Sequence, residues 1–144
     1  MRNGMKKSME NRTVGIRFEQ EMCNYLSKKG WWAHDMTQSA SGQPADIICA
    51  KGNVAILIDC KVCANNRFPF SRVEPNQESA MKLWMDKGNT YVYFALKLND
   101  DSVYMMSYIR YNMFVQEGKS SLNEEEIRKL PLRKDIFPAI ERAM

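Results

Sequence analysis

The sequence predicts an α/β protein in which a mixed central sheet is flanked by helices. Three observations carry this prediction. Residues 12–29 hold an apolar stripe of helical period. Residues 46–61 hold two short apolar strands in succession, and a helical stretch over 74–87 leads into a strong strand at 90–98. The resulting order is α-β-β-β-α-β-β followed by C-terminal helices, with connections too short for a large parallel barrel.

The first helix rests on Val14, Phe18, Met22, Tyr25 and Leu26, which fall on one face of a 3.6-residue repeat. Gly30, just past Lys28 and Lys29, is a suitable stop. Residues 1–11 are polar and read as a frayed tail. Gly15 and Glu19 are four apart and lie along one side of the helix. Gly15 leaves room for another backbone, and Glu19 is placed to point toward carboxylates downstream. Its competing reading is an ordinary surface glutamate.

Trp31–Met36 reads as the first strand. The small, polar stretch Thr37–Gln43 reads as a loop whose hydroxyls and amides suit phosphate, or as a plain connector. The next two strands matter most. Asp46-Ile47-Ile48 and Val54–Lys61 are joined through Gly52-Asn53, a hairpin signal. Side chains alternate along a strand, so Ala55, Leu57, Asp59 and Lys61 share one face and Val54, Ile56, Ile58 and Cys60 the other. A strand apolar on both faces is central in its sheet. Pairing brings Asp46 close to Asp59, with Lys61 beside it. Neighbouring carboxylates repel and raise a pKa unless a cation lies between them. Such oxygen donors suit Mg²⁺ or Mn²⁺, and a lysine nearby can orient a water or neutralise a developing anion. The alternative is a turn aspartate and a solvated strand end.

Residues 62–73 are irregular, aromatic and basic, with Arg67 and Arg72 as candidate phosphate contacts and Pro69 excluding a central strand. A second helix is expected from Glu74 to Lys87, with Pro75 in its first turn and Gly88 as its stop. Gln77 shares its apolar stripe with Ala80, Met81 and Trp84, so its amide requires a partner on the buried side. Thr90–Leu98 and Ser102–Ser107 follow as strands around an Asn99–Asp101 turn. Tyr108–Gln116 reads as a short helix. Ser121 and Glu124 read as a capping box for a helix through Leu130, with a further helix near Pro138.

Bulk properties narrow the function. The 144 residues suit one domain: tail 1–11, core 12–98 and C-terminal part 99–144. Apolar residues make up 44% and charged residues 26%, a soluble globular composition. With no apolar run of spanning length and no secretory segment, a cytoplasmic protein without a membrane partner is expected, its four cysteines reduced. Cys60 and Cys63 form a CxxC, but His34 is the only histidine and Cys23 and Cys49 stand apart, which disfavours zinc. No Gly-rich phosphate loop is present, so an ATP-driven enzyme is disfavoured. The net charge of +4 is compatible with a polyanionic partner.

Gln43-Pro44-Ala45-Asp46 and Ile58-Asp59-Cys60-Lys61 resemble the core motif of the PD-(D/E)xK nuclease superfamily. Within it, Gly15-Ile16-Arg17-Phe18-Glu19 is similar to the Gly-x-x-x-Glu of Hjc-type and RecU-type Holliday junction resolvases. Ala40-Ser41-Gly42 is similar to the Ser-Gly loop of the Hjc type, and Phe68-Pro69-Phe70 with Gln77 and Met81 to the RecU-type segment. The resemblance spans residues 11–85, and the Thr37–Gln43 loop is too short for the RecU-type stalk. It implies a restriction-endonuclease-like core and a Mg²⁺- or Mn²⁺-dependent homodimeric endonuclease that cuts branched DNA, the four-way junction, in paired symmetric cuts. It further implies metal contacts from Asp46, Asp59, the Cys60 carbonyl and Glu19, catalytic roles for Lys61 and Gln77, and DNA contacts from Arg12, Arg17, Ser41, Arg67 and Arg72. The alternatives are a repair, flap or restriction-like nuclease, or a non-catalytic DNA-binding module of the same fold.

Overall fold

The computed structural model describes residues 3–36, 43 and 45–144, with side chains from residue 12 onward. Five strands form one mixed sheet: β1 (Trp32–Asp35), β2 (Ile47–Lys51), β3 (Val54–Val62), β5 (Val92–Lys97) and β6 (Val103–Ser107), in the order β1-β2-β3-β5-β6. Strand β3 is central. It runs antiparallel to β2 and parallel to β5, the parallel pair being joined through helix α2 (Pro75–Asp86). The β2–β3 hairpin turns at Gly52, whose φ of +58° is the conformation glycine adopts without strain.

Each face of β3 feeds a separate core layer, as its alternation requires. Ile56 and Ile58 pack with Phe18, Met22 and Leu26 of helix α1 (Asn3–Lys28) and with Phe137 and Ile140 of helix α5 (Arg133–Arg142). Leu57 packs on the opposite side with Phe94, Met81 of α2, and Tyr108 and Tyr111 of helix α3 (Tyr108–Gln116). Helix α1 closes at Gly30, where the Trp31 amide donates to the Leu26 carbonyl at 3.0 Å, a Schellman closure.

Two expectations are corrected. Helix α1 begins at Asn3, so residues 3–11 extend it instead of forming a frayed tail. No proline interrupts this stretch, and tertiary contacts are not needed to continue a helix already nucleated downstream. Ser121 does not open a helix: Ser121–Leu122 is strand β7, paired with β4 (Phe68–Pro69). The capping box lies two residues later, with Asn123 and Glu126 opening α4 (Glu124–Arg128).

The C-terminal helix is part of the core. Phe137 is 1% exposed and its ring lies 5.9 Å from that of Trp31. Phe137→Ala is expected to cost about 3–5 kcal/mol and to lower the midpoint of thermal unfolding by about 10–15 °C. A midpoint within 2 °C or so of wild type in calorimetry would show α5 to be peripheral.

Candidate active site

The β2–β3 ladder ends at the Ile47–Ile58 pair, and the side chain of Asp46 takes over the hydrogen bonding beyond it. Asp46 Oδ2 accepts from the Cys60 amide at 2.7 Å, and the Asp46 carbonyl accepts from the Met36 amide at 2.7 Å. Asp46 is thereby held through its carboxyl and through its backbone. In an extended strand the N–H and C=O of one residue point to the same side, so the Cys60 carbonyl also faces the Asp46 side.

Asp59 is fully buried at 0% exposure. Its Oδ1 accepts from Gln77 Nε2 at 3.1 Å, which supplies the partner that the buried-side amide of α2 requires. The Gln77 Oε1 accepts from the Glu74 amide at 3.2 Å, so the same side chain caps its own helix. Lys61 Nζ lies 3.1 Å from Asp59 Oδ2 as an ion pair without hydrogen-bond geometry, and among the described residues that buried oxygen has no hydrogen bond. The ammonium also donates to the Arg72 carbonyl at 3.1 Å. Asp59, Lys61 and Gln77 thus meet on the α2 side of the sheet, as strand alternation dictates.

The electrostatics are unbalanced. Asp46 is raised from 3.8 to about 9, first by burial, then by the charge of Asp59 and a side-chain hydrogen bond with it; the Cys60 amide opposes the rise. Glu19 adds to it through its charge and is only partly buried. The Cys60 thiol is pushed well above its usual range by burial and then by Asp46, Asp59 and Glu19. A site with hard oxygen donors, a buried oxygen lacking a hydrogen bond and a carboxyl driven to hold its proton fits a divalent cation. Among the described residues no three His, Cys, Asp or Glu side chains converge as metal ligands. The donors that would hold such an ion are the Asp46–Asp59 pair and the Cys60 carbonyl, with the charge of Glu19 nearby.

A groove of about 430 Å³ opens beside this cluster. Val14 and Gly15 of α1 line one wall, and Asn65, Arg67 and Arg72 contribute to the lining, with Cys60 and Val62. Of the expected DNA contacts, Arg67 and Arg72 line the groove. Arg12 is exposed on α1, and Arg17 borders a different concavity with Gln20, Glu21 and Asn24. Ser41 lies outside the described residues. Cys60 packs against one core layer and Cys63 is buried in the other, so the CxxC does not form one site. Sequence reasoning missed Asn65, which lines the groove with φ of +57°; the Asn65-Asn66 dipeptide was the available signal, since asparagine tolerates this conformation.

Because folded Asp46 holds its proton to about pH 9 and the unfolded side chain only to 3.8, its contribution to stability is full below pH 3.8 and is lost as pH rises toward 9. In EDTA, Asp46→Asn should therefore gain on wild type in unfolding free energy as pH rises through that window. Parallel pH profiles in urea titrations would contradict the assignment.

Comparison with known proteins now adds to the geometry. The family model described as archaeal Holliday junction resolvase (Hjc) matches residues 10–136, well beyond the stretch 11–85 that carries the motif resemblance. The chain is similar to the solved structure of Hjc from Archaeoglobus fulgidus, a Holliday junction resolvase from an archaeal hyperthermophile. The TM-score is 0.65 at 19% identity, over 85% of this chain and 98% of that one, and the likeness bears on the fold. A comparison with curated proteins finds no match. No helix among the described residues is long and apolar enough to cross a membrane. A mixed sheet whose central strand carries Asp59 against Asp46 at the start of its neighbour, together with the match over residues 10–136, places the chain in the archaeal Holliday junction resolvase family of junction-resolving nucleases.

Proposed function

We propose that the protein is a homodimeric, divalent-metal-dependent endonuclease that resolves four-way DNA junctions by paired, symmetric cuts, with Asp46, Asp59 and Lys61 at its catalytic centre. The supporting observation is the contact between fully buried Asp59 and half-buried Asp46, a pair short of positive charge. Mg²⁺, or Mn²⁺ in its place, supplies Lewis-acid stabilisation of charge on the phosphate when bound. The two carboxylates and the Cys60 carbonyl would hold that ion, and Glu19 would add negative charge to the site. Lys61 is held between Asp59 Oδ2 and the Arg72 carbonyl, so its remaining donor capacity can orient the attacking water. Attack at phosphorus displaces the 3′-oxygen and leaves 5′-phosphate and 3′-hydroxyl ends.

Gln77 is a positioning residue: it fixes Asp59 Oδ1 and donates to nothing that the substrate must reach. Two symmetric cuts require two centres, which a homodimer supplies. Phosphate contacts come from Arg67 and Arg72 at the groove, and from Arg12, Arg17 and Ser41 farther along the DNA.

Incubation with a labelled immobile four-way junction and with linear duplex of matching sequence, in Mg²⁺ and in EDTA, tests the reading. Paired nicks in the junction alone, abolished by EDTA, are expected. Equal cutting of both DNAs would favour a nuclease of another kind, and tight binding without cleavage a non-catalytic module. Asp59→Asn should abolish cleavage while junction affinity stays near wild type. Wild-type cutting by that folded variant would remove Asp59 from the centre. Gln77→Ala should lower kcat by about 10–100-fold with little change in KM; an effect on KM alone would place Gln77 against substrate.

A further inference from the structure

Gly15 sits in the middle of a 26-residue helix, where glycine is among the poorest residues. A glycine there is expected where another segment packs too closely for a Cβ. Among the described residues no protein element does so: a Cβ built on Gly15 meets none of their atoms within 4 Å. What lies over Gly15 is the groove beside the carboxylate pair. The far side of the groove also departs from local preference. Asn65 and Asn66 both hold left-handed backbone, with φ of +57° and +52°. Asn66 is fixed there by accepting from the Asn99 amide at 2.8 Å and donating to Glu124 at 3.1 Å. Its neighbour Asn65 is thus held facing the groove. The charged side chains in the lining are Arg67 and Arg72, and both are exposed. Departures from local rules that share one cleft mark a functional surface.

We propose that this groove seats the sugar–phosphate backbone of the bound DNA strand and that Gly15 clears its path. The arginines face the phosphates, and the bare helix surface at Gly15 admits a chain that a side chain would hold off. This rests on the resolvase reading, but it concerns any DNA strand that reaches the carboxylates. It also explains the glycine: clearance for a ligand, instead of for a neighbouring helix or strand.

The test sets stability against binding. Gly15→Ala should unfold at the same temperature as wild type or higher, since a Cβ has open space and alanine favours the helix. Gly15→Leu should remain folded, and Asn24→Leu, on the opposite side of α1, serves as the size-matched control. Binding to the four-way junction and to linear duplex is measured in Ca²⁺. Gly15→Leu is expected to lose at least 10-fold in affinity and Gly15→Ala a few-fold, with Asn24→Leu unchanged. Arg67→Gln should reduce the slope of log affinity against log salt by about 1. Wild-type affinity in Gly15→Leu overturns the proposal, as does a Gly15→Ala variant that is destabilised, because the glycine would then serve the fold. If wild type binds duplex as tightly as junction, the resolvase reading falls while the effect of Gly15→Leu on duplex still decides the groove. Binding to neither DNA overturns both.

Discussion

A fully buried carboxyl, Asp59, with the half-buried carboxyl of Asp46 against it is the constraint on which the rest depends. Burying one such charge without a partner costs several kcal/mol, roughly, and burying two in contact costs more. Each neighbouring group answers part of that cost. The Cys60 amide supports Asp46, Gln77 supports Asp59, and Lys61 supplies one positive charge. The compensation stops there. Asp46 keeps a proton to about pH 9, raised by its burial and by the charge of Asp59. A divalent cation at these oxygens would compete with that proton.

That competition explains why the site stands where the sheet ends. Within the ladder, the Cys60 amide would pair with backbone and Asp46 would have no anchor. Past Ile47–Ile58 the partner strand leaves, and a side chain can take the vacant donor. The carboxylates come from two strands, but each is held by the regular part of the sheet beneath it. Preorganisation here comes from β3, whose two faces are both packed.

Much of this was legible in the sequence because strand alternation is a strict geometric rule. The face shared by Asp59 and Lys61, the hairpin at Gly52 and the buried partner needed by Gln77 all follow from spacing and from the cost of unpaired polar groups. What was not legible depends on distant pairing. Ser121 carries a good capping signature, yet Phe68–Pro69 claims it as a strand, and no local pattern announces a partner some fifty positions away. The helix start failed for a different reason. Polar residues 3–11 have no apolar stripe, and periodicity cannot separate a solvated helix from a frayed tail.

The C-terminal third gains a role from these contacts. Strand β7 pairs with β4, Ser121 Oγ accepts from Arg67 at 3.3 Å, and Glu124 and the Asn99 amide hold Asn66. Arg128 ties Glu124 to Asp100 and Tyr104 in turn. Residues 99–128 therefore brace the segment 64–72 from behind. That segment carries Arg67 and Arg72, and the Arg72 carbonyl is what Lys61 rests against. A part of the chain that holds none of the proposed site residues thus sets the position of the lysine and of one groove wall. The brace is seated in the core as well: Phe68 and Phe70 from the segment, with Leu122 and Ile127 behind it, are buried in the layer that holds Leu57 and Phe94. The 64–72 wall is accordingly held by the same packed layer that carries the α2 face of β3, so the lysine rest and the groove wall share one rigid support.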